Sequence, residues 1–199
     1  MSGASEDLRI EGRAQELSGD LDRAERLYRA SLDLAWTPQA QFDLADLYLT
    51  QGRSDEAIGL ARDLLEREGG SGQASWLLGL CLLEAERASE ALPLLQFAAT
   101  SQDVPTQSVW LLDLGVCLFD LVRYGESRAA LLHAVDLDDS DPRVYFNLAL
   151  IADREGDMGS AADLYRKVLS IDPDYHEASD NLRALKMADG RGATIRDDG

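Results

Sequence analysis

PRVYFNLALIADREGDMGSAADLYRKVLSIDPD, residues 142–174, contains two amphipathic helices and the turn between them. Val144, Leu148, Ile151 and Ala152 recur at steps of three and four residues, as do Ala161, Leu164, Tyr165, Val168 and Leu169, so each set occupies one helical face. Gly156 interrupts the pattern between them. Pro173 ends the second helix, because its ring cannot continue the helix and the residue before it is pushed out of the helical region. The expected unit is an antiparallel helix pair.

The same pattern recurs along the chain. From Ser108, 34 residues before Pro142, it returns through Leu114-Gly115, Ser127, Leu131 and Ala134. From Gly72 it runs through Trp76, Leu78-Gly79, Ala91, Leu95 and Ala98, and it takes 36 residues to reach Ser108, which places two extra residues near 102–107, with Pro105 in that loop. From Pro38 it is carried by Leu44-Ala45, Tyr48, Gly52, Ala57 and Leu64. From Ser5 it is carried by Gly12, Gly19, Ala24, Tyr28 and Ser31. Tyr145, Asn147-Leu148-Ala149, Gly156, Ala161, Tyr165 and Asp172-Pro173 stand where the tetratricopeptide repeat places its motif residues, and the chain resembles that family over nearly its whole length.

The expected fold class is therefore all-α: a right-handed superhelical solenoid of stacked antiparallel helix pairs. One domain over 5–188 is expected, with repeats 5–37, 38–71, 72–107, 108–141 and 142–175. A capping helix follows at 176–188, with Ala178, Leu182 and Leu185 on one face and Asp180, Arg183 and Lys186 opposite. Residues 1–4 and 189–199 lack periodicity and are rich in polar residues and glycine, so they are expected to be disordered.

With 19 Lys and Arg against 37 Asp and Glu, the formal charge is −18. That field repels nucleic acid and anionic membrane surfaces; the acidity reads as a solvated, highly soluble surface, and alternatively as attraction for a basic partner. The longest apolar run, WLLGLCLL at 76–83, is far shorter than the ~20 residues of a membrane helix. No direct membrane insertion is expected. The start MSGASED has no basic segment followed by an apolar core, so no secretory signal is read there and the expected location is cytoplasmic.

Cys81 and Cys117 fall at the tenth position of first helices in adjacent repeats, among Leu and Val, and read as small buried apolar side chains. His133 and His176 read as solvated and form no ligand cluster with the cysteines. No phosphate loop and no Ser-His-Asp set with supporting context is present. The expectations are no catalytic residues, no metal, no cofactor and no enzyme activity.

In the family that the chain resembles, ligands touch positions 2, 5, 9, 12 and 13 of each repeat. Independently, 5, 9 and 12 share the face of the first helix opposite the one that packs on the second helix. Position 5 is Arg9, Phe42, Trp76, Leu112 and Phe146. Position 9 is Arg13, Asp46, Leu80, Val116 and Leu150, and position 12 is Glu16, Leu49, Leu83, Phe119 and Asp153. The expected partner-binding groove comprises Phe42, Trp76, Leu80 and Leu83, continuing through Leu112, Val116, Phe119, Phe146 and Leu150. Its expected rim is Arg9, Arg13, Asp46, Asp113, Asp120 and Asp153, and Trp76 and Phe146 are expected to lie on the groove rather than in the helix stack.

Members of the family that grip acidic chaperone C-termini use Lys and Asn at fixed positions of three successive repeats. At those positions this chain has Arg9 and Arg13, Asp43, then Gln73 and Leu77; starting from the third repeat it has Trp76 and Leu80, Asp113, then Arg143 and Asn147. Neither set makes a carboxylate clamp. The function expected is that of a non-enzymatic adaptor holding a protein or peptide segment, an amphipathic helix or an extended stretch with spaced apolar anchors. The alternatives are a chaperone-like holder of apolar clients in secretion or membrane-complex assembly, and a regulatory subunit of a separately encoded enzyme. Self-association through the groove, or the chain's own tail lying in it, are the competing occupants.

Overall fold

The structure is a computed structural model that describes residues 2–101 and 107–194, with side chains described for 3–101 and 107–187. Among them are eleven α-helices: α1 (Ser2–Leu17), α2 (Leu21–Leu34), α3 (Pro38–Thr50), α4 (Ser54–Arg67), α5 (Gly72–Glu84) and α6 (Ala88–Thr100), then α7 (Gln107–Asp120), α8 (Tyr124–Leu137), α9 (Pro142–Arg154), α10 (Met158–Ile171) and α11 (His176–Thr194). They gather into two compact units, Met1–Pro105 and Thr106–Gly199. In the first, α1 packs on α2, α3 on α4 and α5 on α6; in the second, α7 packs on α8, α9 on α10 and α10 on α11. The all-α solenoid of helix pairs is the fold observed.

Helix starts follow from capping. Thr37 Oγ1 accepts from the Ala40 amide at 3.2 Å, Ser71 Oγ from Ala74 at 3.1 Å and Asp141 Oδ1 from Arg143 at 2.9 Å. Pro38 and Pro142 stand in the first helical turn, where an amide proton has no partner to lose. Helix α1 begins at Ser2 and α11 continues to Thr194, so helix enters both stretches that composition assigned to disorder. Extending a nucleated helix adds one hydrogen bond per residue fixed, which carries it past polar and glycine residues. Residues 1 and 195–199, and the insertion expected before Gln107, lie outside the described residues.

Each first helix ends in the same way. The fifteenth residue of every repeat has positive φ: Gly19 (86°), Gly52 (70°), Glu86 (58°), Val122 (60°) and Gly156 (82°). Its amide donates to the carbonyl three residues back, as from Val122 to Phe119 at 2.8 Å. The next amide reaches back five residues, as from Arg123 to Leu118 at 2.8 Å. A β-branched side chain in the left-handed region is strained, and Val122 is also 67% exposed, so it gains little packing there. Val122→Gly is expected to raise stability by about 1 kcal/mol, the relief of strain less the added freedom of the unfolded chain, seen as a melting temperature higher by about 2–4 °C.

The residue after this turn starts the second helix in one of two ways. Asp20 and Asp157 accept through their carboxylates from the amides of Arg23 and Ser160. Arg53, Arg87 and Arg123 instead pair with Glu56, Glu90 and Glu126 one turn on.

Within each pair, small residues set the helix separation. Ala24, Ala57, Ala91, Ser127 and Ala161 occupy equivalent positions and each has zero exposure. Ser127 satisfies its hydroxyl by donating to the Gly115 carbonyl at 2.6 Å. Around them lie Tyr28, Leu64, Leu95, Leu131, Tyr165 and Val168, buried to within 1%.

Candidate functional site

In the first unit, positions 5, 6 and 9 of successive first helices meet on the side that α1, α3 and α5 turn away from α2, α4 and α6. Arg9 reaches Asp43 at 2.7 Å, Arg13 reaches Asp46 at 3.7 Å, and Phe42 stacks on Trp76 with ring centroids 5.8 Å apart at 16°. Phe42, Trp76, Leu80 and Leu83 are half-buried, whereas Gln41, Leu44, Ala45 and Tyr48, on the opposite side of α3, are buried. The helical period thus divides α3 into a packing face and an accessible apolar face.

Charge is concentrated at the α1 end. Arg9 bridges Glu6 and Asp43, each at 2.7 Å, and Arg13 contacts Glu16 at 3.1 Å besides Asp46. Tyr28 donates its hydroxyl to Glu16 at 2.7 Å. Arg9, read from the sequence as rim charge for steering a partner, is held between two carboxylates of its own chain. Burial pushes the Asp46 carboxyl up from its ordinary range, and the negative fields of Glu16 and Asp43 add to this against the pull of Arg13. The Glu6 carboxyl is held down by its hydrogen bond from Arg9.

In the second unit Val116, Phe119, Phe146 and Leu150 are half-buried. Phe119 lies 5.3 Å from the Tyr124 ring, and the Arg154 guanidinium stands over its face at 5.6 Å. Two expectations need correction. Leu112, expected on the surface, is only 3% exposed and is part of the core. Phe146, expected outside the stack, packs together with Leu150 against the cluster of Ala149, Ala152, Ala161, Tyr165, Val168, Ala178 and Leu182. Phe146 also contacts the rings of Tyr165 at 5.8 Å and Tyr175 at 5.1 Å. Both side chains therefore serve packing as well as surface. Asp113 and Asp153 are half-buried and Asp120 is exposed.

Cys81 and Cys117 are buried; burial pushes their thiols up to about 12 and about 11, with the fields of Asp46 and Asp120 contributing, so neither is a ready thiolate. His133 and His176 are exposed. Among the described residues no group of three or more His, Cys, Asp or Glu is placed to hold a metal ion, and no helix is long and apolar enough to cross a membrane. Every buried side-chain nitrogen and oxygen described has a hydrogen-bond partner.

These features define an all-α protein built from repeated helix pairs. The tetratricopeptide repeat family model matches residues 11–71, 42–107 and 112–176, and the chain belongs to that family. It is 32% identical over 162 residues to Tetratricopeptide repeat protein 8 of Caenorhabditis elegans, covering 77% of this chain but only 30% of the length of that relative. PilF of Pseudomonas aeruginosa is similar in structure with a TM-score of 0.79 at 17% identity, covering 99% of this chain and 93% of that one. YrrB, a tetratricopeptide repeat protein described as having an unusual peptide-binding site, is similar with a TM-score of 0.66 at 19% identity, covering 88% and 90%. Members of this family bind peptide or protein partners and are in general non-catalytic scaffolds for protein–protein interaction.

Proposed function

We propose that the chain is a non-enzymatic adaptor that holds a segment of a partner protein against the accessible faces of its first helices. The observation that carries this reading is the set of half-buried apolar side chains at positions 5, 9 and 12, Phe42, Trp76, Leu80 and Leu83 in one unit and Val116 and Phe119 in the other. Water favours polar residues at such positions, and apolar patches above about 300–600 Å² are uncommon on monomers. Burying a few of these side chains at roughly 1.5–3 kcal/mol each only matches an association cost of roughly 4–15 kcal/mol. The partner segment is therefore extended over several helices. A second copy of the chain is disfavoured as occupant, because each copy carries a formal charge of −18.

The test uses the purified chain as bait beside Trp76→Ala/Leu80→Ala and Val116→Ala/Phe119→Ala, with circular dichroism to show that the helices persist. A partner retained by the wild type is expected to be lost from at least one variant, with affinity down by about tenfold or more, or about 1.4 kcal/mol. Undiminished binding by both variants rejects the reading.

A further inference from the structure

The first-helix face of unit 1 changes character along its length. At the α1 and α3 end, four carboxylates, Glu6, Glu16, Asp43 and Asp46, face two guanidinium groups, Arg9 and Arg13, which leaves an excess of negative charge. At the α3 and α5 end the surface is Phe42 stacked on Trp76, with Leu80 and Leu83 beyond. Resting on the reading of this face as a binding surface, we propose that its occupant is a cationic amphipathic segment of a partner protein, with a lysine or arginine against Asp46 and apolar side chains over Phe42, Trp76 and Leu80.

Several observations support the assignment. The site already accepts guanidinium groups: Arg9 fits between Glu6 and Asp43 at 2.7 Å from each. Arg13 serves Asp46 less closely, at 3.7 Å, while it leans on Glu16 at 3.1 Å, so Asp46 is the carboxylate with most to gain from a second cation. The Asp46 side chain is 36% accessible, open enough to be reached and enclosed enough to have lost part of its hydration. Its carboxyl is pushed up by that burial and by Glu16 and Asp43, the conditions that an arriving positive charge relieves. The formal charge of −18 draws such a segment in and repels acidic peptides, nucleic acid and further copies of this chain.

The probe is a fluorescein-labelled peptide of leucine and lysine with leucines at helical spacing, titrated into the full chain. Two analogues accompany it, one with every lysine replaced by glutamate and one with every leucine replaced by glutamine. The leucine–lysine peptide is expected to bind and to perturb tryptophan emission. Asp46→Asn, which keeps the side-chain size, is expected to weaken it about three- to tenfold, the span from an exposed to a partly desolvated charge pair. Arg13→Gln is expected to tighten it, while Arg23→Gln, whose partner is Glu11 away from this face, leaves it unchanged. If the glutamate peptide binds equally well and Trp76→Ala abolishes both, the cationic assignment fails and the binding face stands. Equal binding of the glutamine analogue also overturns the assignment, since charge alone then suffices. Binding of the leucine–lysine peptide that neither Asp46→Asn nor Trp76→Ala alters places it elsewhere on the acidic surface and overturns both readings.

Discussion

Ala161→Arg is expected to cost about 3–5 kcal/mol, the range for a charge buried without a partner, and to shift the denaturant midpoint of the second unit far below that of the wild type. Ala161 has zero exposure and sits in the cluster with Ala149, Ala152, Tyr165 and Val168, where α9 and α10 pack together. An arginine there must either bury its guanidinium among apolar groups or force the helices apart, and both routes lose packing. Circular dichroism during guanidinium titration measures the loss directly. A midpoint equal to wild type would mean that α10 presents a different face to α9.

Gly115→Val is expected to cost about 2–3 kcal/mol, at the upper end of overpacking effects. A Cβ at Gly115 would lie 2.7 Å from both Cγ and Cδ2 of Leu131, a fully buried side chain with no room to withdraw. The backbone cannot shift freely either, because the Ser127 hydroxyl holds the Gly115 carbonyl at 2.6 Å. Gly125→Ala is the control: a Cβ there meets nothing within 4 Å, and alanine is expected to stabilise α8 slightly, by about 0.5–1 kcal/mol. Thermal melts of the two variants should move in opposite directions. A neutral Gly115→Val would show that α7 and α8 are not in such close contact.

The fold was legible because its determinants are local and recur. Small residues at one fixed position of each second helix, a turn at the fifteenth residue and capping residues before Pro38, Gly72 and Pro142 all repeat, and each has one dominant physical reason. Val122 and Glu86 were harder to read, since a glycine would ordinarily mark their turns and the hydrogen bonds that enforce them are visible only in space. The surface was legible in part. In α3, apolar and polar residues alternate with the helical period, and Phe42 stands where that period places it. In α7, Trp110, Leu111, Leu112 and Leu114 follow one another so closely that no period selects the accessible side, and Leu112 proved to be core. Gln41 gave no signal at all. It is 2% exposed, accepts from the Trp36 indole and donates to Leu60 O and Asp63 at 2.8 Å each. Only the partners, supplied by α4 and by the segment before α3, satisfy its amide in that burial. Asp43 entered the sequence reading only as a residue that does not fit a carboxylate clamp, and its pairing with Arg9 follows from the one-repeat offset between α1 and α3.

The three tryptophans occupy three different depths: Trp36 is 37% exposed, Trp76 is half-buried and Trp110 is 2% exposed. Trp36 and Trp76 belong to the first unit and Trp110 to the second. Replacing Trp36 and Trp76 by phenylalanine leaves one indole, in a dry environment, whose red shift on unfolding reports the loss of that burial. Replacing Trp36 and Trp110 leaves the indole of Trp76, whose emission responds to anything that displaces water from its ring. The chain thus carries its own optical labels, one for the cohesion of its second half and one for the occupancy of its first.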